Sequence, residues 1–295
     1  MAIERVGVVG FGLMGSGIAQ VCAQAGLDVT VREVEQRFLD AGFARVDSSL
    51  ARLVKSQRAT QADAEAARGR IRGTTQLTEL ADRQLVIEAI VENMDAKKRL
   101  YAELDAVCPA TTIFASNTSS LTIVEMAAVT KRADRFAGLH FFNPVPVMKL
   151  VEIVRAITTS DATVETLRAF VARLGKTGVV CKDTPGFIVN RLLVPYMLAA
   201  IRALEQGVAS ADEIDEAMKL GAGYPMGPFT LLDYVGLDTT YYVANILFDE
   251  LADPTVAPPT LLKRLVLAGH YGRKSGRGFY EYDEKGERVT YKRIS

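Results

Sequence analysis

The feature that most constrains the fold of this chain is a glycine-rich segment close to its N-terminus, Gly10-Phe11-Gly12-Leu13-Met14-Gly15. The segment follows an apolar, β-branched run at residues 6–9 and leads into residues 18–25, whose composition favours a helix. In a strand–turn–helix unit, such glycines allow a tight turn, a close approach of the backbone to a pyrophosphate, and close packing of helix on strand. Because the amino end of the helix carries partial positive charge, the segment predicts a dinucleotide-binding site.

A carboxylate follows the next predicted strand. Residues 29–31 form a short β-branched run, and Glu33 comes after it, eighteen residues beyond Gly15. A carboxylate at this position suits hydrogen bonds to the ribose diol of NAD, and it would repel the additional phosphate of NADP. Its neighbour Arg32 would attract that phosphate. The sequence therefore favours NAD as the cofactor and leaves NADP open.

Apolar runs alternate with helical patterns through the first part of the chain. The runs lie at residues 85–91, 112–115, 136–142 and 148–154. This alternation predicts an α/β fold, a doubly wound Rossmann-type sheet that is mostly parallel. The crossover between the second and third strands is long and helical in composition, which predicts a protruding helical-hairpin insertion at about residues 35–70.

The pattern changes at residues 183–186, where a proline and a glycine interrupt the alternation. We therefore expect residues 1–183 to form an NAD-binding Rossmann-like domain. Beyond the break, the sequence contains helical periods and a short tail at residues 278–282. Residues 184–295 are accordingly expected to form an all-helical C-terminal domain.

Composition narrows the range of partners. Lysine and arginine number 35, as do aspartate and glutamate, so there is no net positive charge to attract nucleic acid or an anionic membrane. The three cysteines, Cys22, Cys108 and Cys181, lie far apart without the spacing of a metal site or a disulfide framework. The longest apolar stretch after the N-terminal region is about half the roughly 20 residues needed to cross a bilayer. We therefore expect a cytoplasmic protein without a metal, a membrane span or a nucleic-acid partner.

One of the two histidines is placed for chemistry. His270 lies in a polar turn and is expected at the surface, whereas His140 ends an apolar run. In a doubly wound sheet, ligands bind beyond the carboxyl ends of the strands, where such a residue projects. Pro144 and Pro146 force a turn, so the next strand can bring Glu152 beside His140. A carboxylate beside an imidazole fixes its tautomer and stabilises the imidazolium, which suits a general base in hydride transfer from an alcohol.

Hydroxyl and amide side chains follow another predicted strand, in the run Ser116-Asn117-Thr118-Ser119-Ser120. Ser119 or Ser120 is expected to cap the helix that runs through Glu125. Since the run begins at the carboxyl end of a strand, another of its residues is expected to serve the ligand site.

The residues described so far resemble those of the 3-hydroxyacyl-CoA dehydrogenase family, and the resemblance covers nearly the whole chain. Within the family, the chain is similar to the bacterial monofunctional type that acts on 3-hydroxybutyryl-CoA. The matching segments, in chain order, are residues 10–15, 91–93, 116–120, 140–144, 149–153, 185–191, 223–227 and 272–280. Such a series in one order is specific for the family.

The resemblance implies roles for particular side chains. It makes His140 the general base and Glu152 its orienting partner. It places Ser116, Asn143 and Asn190 around the 3-oxygen and the thioester of the substrate. The residues that it implies near the nicotinamide half of NAD are Glu92, Lys97, Ser116, Asn143 and Lys274.

The resemblance also implies that the helical hairpin helps to hold coenzyme A, at Ser49. The lysine that the family can place seven residues later is Ser56 here, so Arg52 or Lys55 is expected to substitute for it. The second domain is expected to form the interface of a homodimer. The predicted reaction is hydride transfer between NAD(H) and the 3-hydroxy or 3-oxo position of a short-chain acyl-CoA, such as 3-hydroxybutyryl-CoA or acetoacetyl-CoA.

Three alternatives stand beside this prediction. The β-hydroxyacid dehydrogenases begin with a similar strand and turn but use a catalytic lysine, for which Lys176 is the candidate, in a segment that runs into a strand. A family relative that acts on a CoA-free hydroxy acid such as gulonate is the second alternative, and CoA binding would distinguish it. A non-catalytic NAD-binding protein is the third, and it is disfavoured because His140, Glu152 and Ser116 occur together with the two asparagines.

Overall fold

The computed structural model describes residues 2–290, which separate into two compact units with the boundary after Phe187. The N-terminal unit is built on one eight-stranded sheet. Its strands are β1 (Arg5–Val9), β2 (Asp28–Arg32), β3 (Ile71–Thr74), β4 (Leu85–Glu88), β5 (Ile113–Ser116), β6 (Phe136–Phe141), β7 (Leu150–Arg155) and β8 (Thr177–Lys182). Its helices are α1 (Leu13–Gln24), α2 (Gln36–Lys55), α3 (Gln61–Gly69), α4 (Met94–Val107), α5 (Ile123–Ala127) and α6 (Asp161–Arg173).

The sheet has the order β3-β2-β1-β4-β5-β6-β7-β8. Its neighbouring strands run parallel, except β6 and β7, which are antiparallel. The predicted doubly wound, mostly parallel sheet is thereby confirmed. The strand order reverses between β1 and β4, so the topological switch point lies there. Ligands of such sheets bind in the crevice outside the carboxyl ends of the strands at that point.

Buried apolar side chains cover both faces of this sheet. Leu85 and Ile87 of β4 pack in one cluster with side chains of α1, whereas Val86 packs in a second cluster with Phe114 and Tyr101. Successive residues of a strand point to opposite faces, so alternate residues of one short strand supply two cores. Burying one such side chain stabilises the fold by about 1.5–3 kcal/mol. The two clusters therefore hold the strands, and the residues at their carboxyl ends, in fixed positions.

The predicted helical hairpin is present as α2 and α3. Thr60 and Asp63 form a capping box at the start of α3, which satisfies backbone N–H groups there. Gly42 of α2 lies directly against the ring of Phe11, and a Cβ at this position would overlap that ring. The hairpin therefore packs closely on the glycine-rich segment, and a larger residue at position 42 would push it away.

The C-terminal unit, which begins at Ile188, is helical, as predicted. Its helices are α7 (Val189–Glu205), α8 (Ala211–Ala222), α9 (Pro228–Val235), α10 (Leu237–Leu251) and α11 (Thr260–Leu267). It also contains a short antiparallel pair, β9 (Glu281–Tyr282) and β10 (Arg288–Thr290), so the expectation of an entirely helical domain is wrong in this detail. A turn that ends at Gly286, with φ of +74°, reverses the chain between these strands.

Two buried carboxylates organise the C-terminal unit. Asp215 accepts hydrogen bonds from the backbone N–H groups of Phe229 and Thr230 at the start of α9. Asp233 accepts hydrogen bonds from the backbone N–H groups of Phe279 and Tyr280, and burial raises its pKa to about 6. In residues 2–290, no helix combines the length and the apolar character that a membrane span needs.

Candidate active site

The glycine-rich segment forms the turn between β1 and α1, at the switch point. Gly10 has φ of +92°, and a Cβ there would press on the backbone of Ala89. A Cβ on Gly15 would overlap the carbonyl oxygen of Gly10, whereas a Cβ on Gly12 would meet no atom within 4 Å. Gly10 and Gly15 are therefore required by the fold, and Gly12 leaves open space beside the backbone. Open space at the start of a helix without acidic residues in its first turn fits a pyrophosphate.

Two alanine substitutions distinguish these roles. We expect Gly12→Ala to fold with nearly wild-type stability and to weaken NADH binding by about tenfold or more, because the new methyl group fills space that a phosphate needs. We expect Gly15→Ala to lower the free energy of unfolding by about 1–3 kcal/mol, because its methyl group has no room. Thermal unfolding and NADH titration of both variants check this. Equal loss of stability in both would contradict the assignment.

The remaining side chains of the segment and Glu33 surround this turn. Phe11 is buried under the hairpin, Met14 is half-buried and Leu13 is exposed. Glu33 follows β2, and its carboxylate accepts hydrogen bonds from the backbone N–H of Phe11 at 2.6 Å and of Val34 at 3.1 Å. Arg32 instead directs its Nε to the carbonyl oxygen of Thr75 at 3.4 Å. The carboxylate of Glu33 thus lies beside the glycine-rich turn between β1 and α1, which we call the dinucleotide turn. The neighbouring Arg32 contacts the backbone after β3 instead.

The structure brings His140 and Glu152 together. They are direct partners in the antiparallel pairing of β6 and β7, so their side chains project from the same face of the sheet. His140 Nδ1 lies 2.6 Å from Glu152 Oε2. Both residues are buried, Glu152 completely. A buried carboxylate at this distance holds the imidazole in one orientation and favours the tautomer with the proton on Nδ1, which leaves Nε2 as the basic nitrogen.

Register places further polar side chains on this face. Glu88 of β4 pairs with Ser116 of β5, and Ser116 pairs with Gly138 of β6, two residues before His140. Residues that pair directly, and residues two apart along a strand, share a face. Glu88, Ser116, His140 and Glu152 therefore lie on one face of four neighbouring strands.

A buried network joins part of this group to α4. Lys97 is almost fully buried, and its Nζ lies 2.5 Å from Glu88 Oε1 and 3.1 Å from Glu92 Oε2. Glu92 Oε1 also accepts hydrogen bonds from Thr118 Oγ1 at 2.5 Å and from the backbone N–H of Ser119 at 3.0 Å. Ser116 Oγ donates a hydrogen bond to Glu88 Oε2 at 2.6 Å. The network therefore connects Glu92, Lys97 and Ser116, which the sequence analysis placed near the nicotinamide. It also contains Glu88, which that analysis did not identify, although a carboxylate inside an apolar run of a parallel strand was a signal.

The turn between β6 and β7 carries Asn143, whose side chain is exposed and whose bond to Pro144 is cis. Lys176 Nζ donates hydrogen bonds to the carbonyl oxygens of Val145 and Met148, each at 2.6 Å. This ammonium group therefore fastens the turn that carries Asn143. Its engagement with two backbone carbonyls weighs against Lys176 as the catalytic group of a β-hydroxyacid dehydrogenase.

A cavity of about 750 Å³ lies between α1, the hairpin and this turn. Ser49 and Arg52 line it, as do Asn143 and Leu13, but Lys55 does not. The other cationic and hydroxyl side chains in its lining are Arg45, Arg58, Ser16, Ser48 and Ser56. Of the two basic residues expected to replace the lysine of the family, the structure thus places only Arg52 at the cavity. It adds Arg45 and Arg58, which the sequence analysis did not assign to the substrate.

The last two predicted site residues, Asn190 and Lys274, lie in the C-terminal unit. Asn190 is half-buried in the first turn of α7. Lys274 Nζ forms an ion pair with Asp238 at 2.7 Å. His270, in the same unit, is partly exposed. No cluster of three or more side chains suited to holding a metal ion occurs in the described part of the chain.

Comparison with known proteins gives consistent results for both units. Residues 5–184 match the family model "3-hydroxyacyl-CoA dehydrogenase, NAD binding domain", and residues 186–282 match "3-hydroxyacyl-CoA dehydrogenase, C-terminal domain". The chain is 50% identical to the 3-hydroxybutyryl-CoA dehydrogenase of Mycobacterium tuberculosis over 95% of this chain and 99% of that protein. It is 48% identical to the mitochondrial hydroxyacyl-coenzyme A dehydrogenase of Homo sapiens, over 95% of this chain and 91% of that protein.

A solved structure is similar over both units. The crystal structure of (S)-3-hydroxybutyryl-CoA dehydrogenase from Ralstonia eutropha superposes with a TM-score of 0.93 at 47% identity. The match covers 96% of this chain and 100% of that one.

Proposed function

This chain belongs to the 3-hydroxyacyl-CoA dehydrogenase family and uses NAD, and from that premise we propose that it interconverts 3-hydroxybutyryl-CoA and acetoacetyl-CoA. The observation that carries the proposal is the buried His140–Glu152 pair, 2.6 Å apart, on the face of the sheet that also carries Glu88 and Ser116. The alternatives of a CoA-free hydroxy acid and of a non-catalytic protein are outcomes of the tests below.

In the proposed reaction, His140 is the general base. Its Nε2 takes the proton of the substrate's 3-hydroxyl group while hydride leaves the same carbon, and Glu152 stabilises the imidazolium that forms. NAD, when bound, supplies the acceptor of that hydride. In the reverse direction, the protonated His140 returns the proton to the 3-oxo oxygen. Asn143 and Asn190 are proposed to donate hydrogen bonds to the oxygens of the substrate, which gain negative charge during the reaction.

We propose that the cavity beside the hairpin holds coenzyme A, with Ser49 and Arg52 among its contacts. Coenzyme A carries several phosphates, and arginine binds phosphate oxygens through paired N–H donors. Arg45 and Arg58 lie in the same lining and add positive charge. The site therefore has the cations that the phosphates require, although Ser56 takes the place of the lysine expected from the family.

We expect Arg52→Ala to raise the KM for acetoacetyl-CoA by about tenfold, since it removes a hydrogen-bonded cation from the lining. Lys55→Ala is the matched comparison, because it removes a cation of the same helix that does not line the cavity. Its KM should rise much less. Initial rates at saturating NADH measure both values. An equal rise in both variants would show that the cavity is not the site of coenzyme A.

We also propose a homodimer formed through the C-terminal unit. Large apolar side chains of this unit are exposed in the single chain, among them Leu192, Leu220 and Leu267, each at least 70% accessible. The proposed interface would remove such side chains from water. Light scattering after size exclusion tests the proposal, and a monomer at micromolar concentration would contradict it. The cytoplasmic location stays a prediction.

One set of rate measurements tests which acyl chain length and which cofactor the protein prefers. NADH consumption is followed with acetoacetyl-CoA and with 3-oxoacyl-CoA esters of increasing length, and NADPH is the parallel cofactor. The proposal expects the largest kcat/KM with acetoacetyl-CoA. It expects NADH to be preferred over NADPH, because Glu33 is held beside the dinucleotide turn and Arg32 is turned to a backbone carbonyl. A preference for long esters or for NADPH would contradict the respective part.

A further inference from the structure

The side chain of Asn117 connects the ends of two strands. β5 ends at Ser116, whereas β6 continues to Phe141, and the last pair between the two strands is Ser116 with Gly138. Asn117 Oδ1 accepts a hydrogen bond from the backbone N–H of Phe141 at 2.9 Å. The side chain therefore bonds β6 on the side of β5, at a point beyond the last pair of the two strands.

The backbone of Asn117 is itself anchored to the sheet. Its N–H donates a hydrogen bond to the carbonyl oxygen of Glu88, the last residue of β4, at 2.8 Å. Asn117 is half-buried, and it joins the carboxyl end of β4 to that of β6. The reaction described above gives this residue no role.

The bonded N–H belongs to the peptide group between His140 and Phe141. A peptide group is planar, so a hydrogen bond to its nitrogen also restrains the carbonyl carbon of His140. On the other side of β6, His140 is the direct partner of Glu152 in the pairing with β7. Neighbours on both sides therefore hold the backbone of β6 at His140.

The imidazole ring of His140 is restrained by its own contacts. Glu152 Oε2 lies 2.6 Å from its Nδ1. The rings of Phe142 and Phe187 pack against it, with centroids 4.4 Å and 5.6 Å away. These contacts limit rotation of the ring, so the backbone of β6 decides where Nε2 lies.

We propose that Asn117 is a positioning residue for the general base, and that it acts on His140 through the N–H of Phe141. A general base has to lie within about 2.6–3.2 Å of the group whose proton it takes. A misplacement of about 1 Å can lower the rate about 10²-fold. The inference rests on the proposed function, because it takes His140 as the base. It deepens that function by adding a residue that acts through the histidine.

Aspartate at position 117 separates this role from a direct contact with a ligand. A carboxylate of the same length still accepts a hydrogen bond from Phe141, but it has no N–H to donate. Asn117→Asp therefore keeps the proposed role. It would lose the function if Asn117 Nδ2 acted instead by donating to a ligand.

The kinetic test compares both Asn117 variants in the reduction of acetoacetyl-CoA at saturating NADH. Asn117→Ala should lower kcat by about tenfold to 10²-fold, with a KM for acetoacetyl-CoA within about twofold of the wild-type value. Asn117→Asp should retain most of the wild-type kcat. Ser160→Ala is the matched control, because it also removes a side-chain acceptor of a backbone N–H, that of Thr163 at 3.2 Å. It should keep the wild-type kcat.

A spectroscopic test follows His140 without any substrate. The chain has two histidines, so His270→Gln leaves His140 as the single imidazole. In that background, proton NMR detects the Nδ1 proton in the 2.6 Å hydrogen bond to Glu152, far downfield of the backbone amides. Asn117→Ala should shift this signal and speed its exchange with water. Asn117→Asp and Ser160→Ala should leave the signal unchanged.

Three results would overturn the proposal. They are a wild-type kcat in Asn117→Ala, an equal loss of kcat in both Asn117 variants, and a lower kcat with an unchanged proton signal. If Asn117→Ala does not fold, Asn117→Asp decides, since a wild-type kcat supports the proposal and a large loss overturns it. Failure of the wild-type protein to reduce acetoacetyl-CoA would contradict the proposed function instead, and the proton signal would still report on Asn117.

Discussion

His140→Gln is expected to lower kcat for the reduction of acetoacetyl-CoA by about 10³-fold to 10⁴-fold, the upper part of what a positioned acid–base group contributes. Glutamine keeps a polar side chain of similar length but cannot take up or return a proton at neutral pH. Because His140 is on β6 and is not part of the glycine-rich turn between β1 and α1, NADH affinity should change little. Initial rates at saturating substrate and NADH titration measure the two effects.

His270→Gln is the matched control, since it replaces the other histidine of the chain, in the C-terminal unit. It should retain kcat close to that of the wild type. Thermal unfolding of both variants shows whether either change disturbs the fold. If His140→Gln kept most of the wild-type kcat, another group would be the base, and the proposed chemistry would be wrong.

Glu152→Gln is expected to lower kcat by about 10²-fold to 10³-fold with little change in the KM for acetoacetyl-CoA. The amide that replaces the carboxylate no longer stabilises the imidazolium, and its NH₂ group favours the wrong tautomer of His140 when it faces Nδ1. The side chain keeps its size, so the packing of β6 on β7 should survive. Steady-state rates across a range of acetoacetyl-CoA concentrations separate kcat from KM.

Glu125→Gln controls for the loss of one negative charge from the N-terminal unit, because Glu125 is half-exposed and pairs with Lys98 at 3.0 Å. It should leave kcat nearly unchanged. A Glu152→Gln variant with wild-type kcat would mean that the carboxylate only supports the fold. A variant whose KM rises while kcat stays constant would place Glu152 in substrate binding instead.

Local sequence signals were sufficient for the fold and for the central pair. Gly10 and Gly15 lie where the backbone leaves no room for a side chain. The spacing of glycines after a strand was therefore enough to predict the turn between β1 and α1. The prolines after His140 indicated a tight return of the chain, and the antiparallel register then places Glu152 directly opposite. The glycines of the turn are close in sequence, and the strands that carry His140 and Glu152 are joined by one short turn, so neither prediction needed distant contacts.

Features that depend on tertiary packing could not be predicted. Arg52 and Lys55 lie about one helical turn apart on α2, and only the packed structure shows that Arg52 lines the cavity and Lys55 does not. Glu88 stood out only as a carboxylate inside an apolar run. Its partners Ser116 and Lys97 lie on other elements, and the sequence does not show that these elements meet β4 at this point. The strands β9 and β10 have only two and three residues, and polar residues lie between them, so the sequence pattern did not indicate a strand pair.

The most direct test of the account compares acetoacetyl-CoA with free acetoacetate as the oxidant of NADH, at equal concentrations and with wild-type protein. We predict that the thioester is reduced about 10²-fold faster or more, because binding energy from the coenzyme A portion holds the reacting carbon in place. Equal rates with both compounds, or no NADH consumption with the thioester, would contradict the account. Such a result would favour a CoA-free hydroxy acid as the substrate or a protein that binds NAD without catalysis.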